Sequence, residues 1–80
     1  MEAYKRLLNL TVKPLTVSKI NGVMAVSFLD CEVKDGMFLK TIYGLGLTFE
    51  EASEDNLAKN SGHTLVFDAC TKYRKEVSVL

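Results

Sequence analysis

Tryptophan is absent from this 80-residue sequence, proline and histidine occur once each, and cysteine occurs twice. Neither sign of charge is in excess, with ten Lys and Arg against ten Asp and Glu. Each shortage excludes something. A secreted domain of this size normally carries several disulfides. Cys31 and Cys70, far apart and in no metal-like spacing, are instead expected as reduced thiols in a cytoplasmic protein. A single bridge stays open if the strands carrying them lie side by side. Neither thiol has a helix N-terminus or a histidine beside it in sequence to lower its pKa, so reactive chemistry is not expected. The balanced charge argues against nucleic-acid binding driven mainly by counterion release and leaves only a local basic patch for that role. Apolar runs such as Val23-Met24-Ala25-Val26 fall far short of the ~18 residues of a membrane span. No apolar segment follows the basic pair Lys5-Arg6, so no secretory leader is expected. What is present, 48% hydrophobic and 25% charged residues, describes one soluble domain over residues 1–80 rather than a disordered chain. Its core is small enough that help from an oligomer or partner is in keeping.

Two hairpin signals organise the first half. Asn21-Gly22 and Asp35-Gly36 tolerate the positive φ of a type I′ turn, and both interrupt alternating apolar runs. A loop at Asn21-Gly22 sets Val17 opposite Val26 and Leu15 opposite Phe28. A loop at Asp35-Gly36 sets Val33 opposite Phe38 and Leu29 opposite Ile42. Apolar positions are even at Leu8, Leu10 and Val12 but odd at Leu15 and Val17, and the partner strand switches between Phe28 and Cys31. A one-residue slip flips faces, so both strands are expected to bend or bulge, near Pro14 and near Leu29-Asp30. The expected strands are Leu7–Ile20, Val23–Val33 and Met37–Tyr43, a meander curling toward a barrel.

Gly44-Leu45-Gly46-Leu47 reads as a breaker leading into a helix from about Phe49 to Asn60. Thr48 and Glu51 form a capping box, and Gly62 forms the stop. Asn56 and Asn60 fall inside the apolar stripe of that helix, a conflict within the pattern. Thr64–Ala69 and Tyr73–Leu80 read as two further strands joined by a turn near Cys70-Thr71-Lys72. The expected fold is α+β, one small domain in the order β-β-β-α-β-β, a curled antiparallel sheet or OB-like partial barrel with one helix.

Sites of chemistry are few. His63, alone among potential ligands, is expected on the surface at the helix exit, so no metal site and no cofactor are expected. Gly44-Leu45-Gly46 lacks the third glycine of a dinucleotide loop, since Phe49 stands there, although its backbone amides are placed to hold an anion. No constellation reads as catalytic, so the chain is not expected to be an enzyme. Glu50, Glu51, Glu54 and Asp55 share one helix face. They offer an acidic patch for docking into a basic groove of a protein partner, or else a solvated surface. Lys72, Tyr73, Arg74 and Lys75 are the one basic-aromatic cluster. They read as contacts for RNA or single-stranded DNA, or as a charged edge strand. Val77–Leu80 offers a strand for pairing across a homodimer axis.

The stretch Met24–Cys31, with Gly46-Leu47-Thr48-Phe49-Glu50-Glu51-Ala52 after it, resembles a HicB-type antitoxin domain over about a third of the chain. The turn prolines of that family are missing, and an additional hairpin at Asp35-Gly36 intervenes. The resemblance implies binding and neutralising a protein partner. The strand order also resembles an OB-fold at the level of topology. In general style the chain is similar to small phage-encoded inhibitors of host systems. The leading expectation is therefore an occluding, anti-defence or anti-CRISPR-like inhibitor that works in the host cytoplasm through its acidic helix face. A nucleic-acid module and a structural subunit of a phage particle are the alternatives.

Overall fold

The computed structural model describes residues 2–11 and 13–79. The fold is α+β. Its elements are α1 (Glu2–Leu10), β1 (Leu15–Ile20), β2 (Val23–Phe28), β3 (Cys31–Asp35), β4 (Phe38–Lys40), β5 (Gly44–Gly46), α2 (Phe49–Asn60), β6 (Thr64–Phe67) and β7 (Lys75–Ser78). The strands form two antiparallel sheets, one ordered β1-β2-β5 and the other β4-β3-β6-β7. Among the described residues no ladder joins the two sheets, so the curl does not close into an OB-like barrel.

The first hairpin has the expected register, with Val17 paired to Val26 and Leu15 to Phe28. Asn21 and Gly22 both take positive φ, 52° and 80°, as a type I′ turn requires. The second hairpin is shifted. Val33 pairs with Lys40 and Asp35 with Phe38, so the loop is Gly36-Met37 rather than Asp35-Gly36. Only the first of these loop residues has positive φ (Gly36, 63°), the requirement of a type II′ turn. Met37 and Phe38 consequently stand at the tip, 98% and 77% exposed. Leu29 and Ile42 do not pair, because the chain changes sheets between them.

That change of sheet explains the rest of the departure from a meander. The expected second strand is broken at Leu29-Asp30, where Asp30 takes φ 51° and the chain passes from β2 in the first sheet to β3 in the second. The expected third strand is broken in the same way, and β4 pairs β3 while β5 returns to β2. Between the paired positions Val26–Gly44 and Val33–Lys40, one limb contains Ser27–Glu32 and the other only Thr41–Tyr43. The unequal limbs fork the ribbon and open a cleft of about 570 Å³ at the fork.

The N-terminal half of the expected first strand is a helix. Ala3 and Leu7 are buried and Leu10 is half-buried, an i, i+4, i+7 stripe, whereas Leu8 faces solvent. Val12, which the strand reading also used, lies outside the described residues. The fold therefore has a second helix ahead of the expected order. Pro14 precedes β1 rather than kinking a longer strand.

Helix α2 runs as expected from Phe49 to Asn60. The Thr48 hydroxyl accepts from the Glu51 amide at 3.1 Å, and Gly62 takes φ 80° just past the end. Gly44-Leu45-Gly46 is not a breaker but strand β5, laid directly against α2. A Cβ on Gly44 would overlap the Ala52 carbonyl oxygen, and one on Gly46 would lie 2.5 Å from the Ala52 amide nitrogen. Glycine is required here because helix and strand touch backbone to backbone. The core gathers Leu7, Val26, Phe28, Val33, Ala52, Leu57, Leu65 and Phe67, with the Phe28 and Phe67 rings edge to face at 5.9 Å.

Replacing Gly44 with Ala should therefore destabilise the fold by about 1–3 kcal/mol or more, the range for forcing atoms into a packed site. Denaturant unfolding checks this, and an unchanged midpoint would mean that α2 and β5 are not in backbone contact.

Candidate partner-binding surface

The four acidic residues of α2 do not form one patch. Successive residues of a helix advance about 100°, so Glu51, Asp55 and Lys59 run down one side while Glu50 and Glu54 run down another. The structure gives the two stripes different neighbours.

The first stripe faces the edge of β5. The amide of Leu47 donates to Glu51 at 3.2 Å, and that of Leu45 donates to Asp55 at 2.8 Å. Lys59 donates to the carbonyl of Tyr43 at 3.0 Å and pairs with Asp55 at 2.8 Å. The spacings match. Four helical residues rise about 6 Å, and two strand residues advance about 6.6 Å. Three rungs thus join an ascending helix to a descending strand and engage three of the polar groups along that edge. The anion expected at the glycine-rich segment is supplied by the chain's own carboxylates. Glu51 also departs from a standard capping box, reaching Leu47 rather than the Thr48 amide.

The second stripe faces α1. Glu50 accepts from the amides of Ala3 at 2.9 Å and Tyr4 at 3.3 Å, so it caps a helix far from it in sequence. Tyr4 and Phe49 meet edge to face at 5.9 Å beside it. Glu54 lines the groove between the helices with Glu2 and Arg6, and the structure gives its exposed carboxylate no hydrogen bond or ion pair among the described residues. Of the acidic set, Glu54 is the carboxylate with no internal bond among the described residues, and Glu50 is committed to the fold.

Sequence reasoning missed the apolar side chains bordering this helix. Gly44 and Gly46 point toward α2, so Leu45 projects from the opposite face of the three-stranded sheet. By the register it shares that face with Val23 and Ile20. Ile20 is 65% exposed, Leu45 is exposed, and Leu47 just beyond the strand is 72% exposed. The carboxylates of Glu51 and Asp55 stand at the margin of this patch. The one available signal is the pair of glycines, which sets the side chain between them, Leu45, on the face away from the helix, with Leu47 following two residues on.

The basic cluster lies mostly in the turn before β7, not in a strand. Asp68 takes φ 51°, which ends β6 at Phe67, and Thr71 and Arg74 close the turn through backbone bonds. The Lys72 ammonium sits 5.2 Å from the centre of the Tyr73 ring. Tyr73 is 71% exposed. Arg74 is held by Glu76 at 3.2 Å, and Lys75 opens β7. Strand β7, the segment offered for pairing across a dimer axis, stands at the outer edge of the four-stranded sheet; Leu80 lies outside the described residues.

The cleft at the fork is lined by both cysteines, which are free, and by Thr16, Ser27, Thr41 and Tyr43. Lys13 bridges Asp30 at 2.7 Å and Asp68 at 2.8 Å beside it, tying the two left-handed residues where the sheets part. Burial pushes the Cys31 thiol up to about 11, so it stays protonated at neutral pH. His63 is half-buried between α2 and β6, and its carbonyl accepts from the Val79 amide. No group of three or more His, Cys, Asp or Glu side chains able to hold a metal occurs among the described residues. No helix among them is long and apolar enough to cross a membrane.

Acid should act through the helix carboxylates. The Ala3 amide holds Glu50 below its ordinary carboxylate pKa of 4.5, and the Lys59 ammonium lowers Asp55 in the same sense. A depressed folded-state pKa gives stability that is present above the unfolded value and lost as pH falls through the folded one. Glu50→Gln should therefore lower stability at neutral pH yet reduce the further loss on acidification below about pH 4.5. Thermal unfolding across that range checks it, and a slope equal to that of the wild type would show that Glu50 does not cap α1 in solution.

Compared with known proteins, the chain matches no family model, and neither a curated protein nor a solved structure matches it.

Proposed function

We propose that the chain is a non-enzymatic binding protein that inhibits a partner protein by covering its surface, and that it docks through the outward side of α2 and the adjoining apolar patch. The observation that carries this reading is Leu47, 72% exposed beside the Glu51 carboxylate and continuous with exposed Leu45 and Ile20. Protein interfaces set apolar anchors within a charged and polar rim, and the anchors hold most of the affinity. Glu51 and the partly exposed Asp55 stand at that rim, and Glu54, on the side of α2 toward α1, adds exposed acidic charge that steers association with a basic surface. A role in neutralising a protein partner is also what the HicB-type resemblance implies. An anti-defence inhibitor encoded by a phage or mobile element, acting in the host cytoplasm, is the setting this mode of action fits.

Leu47→Asp and Glu54→Lys are the informative changes, because neither side chain is packed in the core. Each should cut partner capture from a bacterial lysate about tenfold or more while leaving the thermal midpoint within a few degrees. Glu51→Lys should lower the midpoint, since it removes a rung of the helix–strand seam. Equal capture by wild type and Leu47→Asp would overturn the reading.

A second reading rests on Tyr73, exposed with Lys72 above its ring: contact with RNA or single-stranded DNA. It requires that Tyr73→Ala cost about 1–3 kcal/mol of binding to mixed-sequence single strands, the range for a stacked base. Fluorescence anisotropy showing no binding at low salt would remove it.

A further inference from the structure

The two sheets have four outer edges, and they are not treated alike. The edge of β5 is covered by α2. Strand β4 spans only Phe38–Lys40, and β7 carries Lys75 and Glu76, the latter paired with Lys34 and Arg74. Short strands and charge are the usual protection of an edge. Strand β1 has little of either: it runs six residues, Leu15–Ile20, with Lys19 its one charge, and is exposed along almost its whole length.

Its open groups can be assigned residue by residue. The two-residue loop at Asn21-Gly22 makes Ile20–Val23 the closing hydrogen-bonded pair. Ser18 and Thr16 therefore also bond toward β2, while Leu15, Val17 and Lys19 turn their amides and carbonyls outward. The run is bounded at its start. The Thr11 hydroxyl donates to the Lys13 carbonyl at 2.6 Å and accepts from the Lys13 amide at 3.2 Å, so the outward groups of Lys13 are already satisfied. Beyond the far end lies the hairpin turn.

We infer that β1 is a homodimer interface, in which β1 of a second copy pairs antiparallel across a two-fold axis at Val17. The strand's own sequence selects a copy of itself. With Val17 opposite Val17, Leu15 lies opposite Lys19 on both sides of the axis, and every outward amide and carbonyl of Leu15, Val17 and Lys19 gains a partner. No like charges face each other, and Thr16 lies opposite Ser18. Pro14 falls opposite Ile20 at a position that does not hydrogen-bond in the new ladder, so its missing amide is not needed there. The chain's net charge of zero puts no general repulsion between copies. The product is one continuous sheet ordered β5-β2-β1-β1-β2-β5, with an α2 seam at each end. A two-fold, self-complementary contact is the commonest way for identical chains to associate. The interface lies at the β1 edge, away from the α2 seam at the other edge of the sheet, and meets the docking face above only at Ile20, which none of the test variants changes.

Sedimentation velocity on the full chain from about 10 µM to about 1 mM, the range suited to a small interface, tests the inference. The wild type should shift from monomer to dimer with concentration, and Val17→Lys, which sets like charges on the axis, should stay monomeric. Val17 turns its backbone away from β2 and is partly exposed, so circular dichroism of V17K should remain native. A second measurement covers the case in which V17K fails to fold. On a C70S background, T16C/S18C should form an interchain disulfide on diamide oxidation, because the facing Cα atoms of a pair that is not hydrogen-bonded lie about 4.5 Å apart. A wild type that stays monomeric throughout, a dimer that persists in folded V17K, or an absence of the cross-link would overturn the inference.

Discussion

The seam between α2 and β5 is the contact on which the rest of the structure depends. Gly44 and Gly46 let helix and strand backbones touch, and Glu51, Asp55 and Lys59 convert that proximity into a ladder of hydrogen bonds. Placing α2 in this way has consequences at its other sides. Its first turn carries Glu50 to the N-terminus of α1, so the position of the first helix depends on the seam. Its inner side brings Asn56 to the Val26 carbonyl at 2.8 Å, which ties the helix to the central strand as well as to the edge strand. A helix of this length is marginal in isolation and needs tertiary contacts to persist. Here many of those contacts are polar or backbone contacts rather than apolar side chains.

The conflict seen at Asn56 and Asn60 has its explanation in the same place. Val26 lies opposite Gly44 in the register, and the missing side chain leaves room for a short amide to reach the strand. The Asn60 side-chain Nδ2 then donates to Asn56 Oδ1 at 2.7 Å, forming a buried chain of side-chain bonds along the inner face of the helix. A leucine at either position would bury more apolar surface but could meet neither partner. Ser53 Oγ and Asn60 Oδ1 are buried without a hydrogen-bond partner among the described residues, and each such group costs about 1–3 kcal/mol. The inner face of α2 therefore fixes one docking position at some expense in stability.

What the sequence disclosed divides along the same lines. The turn and register of the first hairpin, and the span of α2, are legible in the sequence because Asn21-Gly22 and the Thr48–Glu51 pair are local devices whose partners lie within a few positions; the far ends of the two strands are not. The second hairpin is placed one residue off by its loop: Asp35-Gly36 and Gly36-Met37 both put glycine at positive φ, and nothing local chooses between them. Helix α1 was unreadable for a different reason. Its leucines satisfy strand alternation at Leu8 and Leu10 and helical spacing at Ala3, Leu7 and Leu10, and the cap that selects the helix comes from Glu50. The acidic face was recognised as a set of residues but not as two seams, because a carboxylate that accepts from a distant backbone amide looks the same in sequence as one in water.

This internal use of charge changes what the surface can offer. Glu50 and Glu51 are engaged by backbone amides, and Asp55, Lys59, Lys13 and Glu76 by opposite charges, so these side chains are committed within the fold. A domain of this length cannot bury all its large apolar side chains, and Ile20, Leu45 and Leu47 are left at the edge of the seam that holds the helix. Water reaching that edge competes for the Glu51 and Asp55 bonds. A partner seated on Leu45 and Leu47 would exclude that water, and hydrogen bonds strengthen as the local dielectric falls. Under the docking proposed above, binding and stability of the α2–β5 seam would be coupled: a ligand that binds the folded state alone stabilises it by mass action, and here it would do so at the contact that positions both helices.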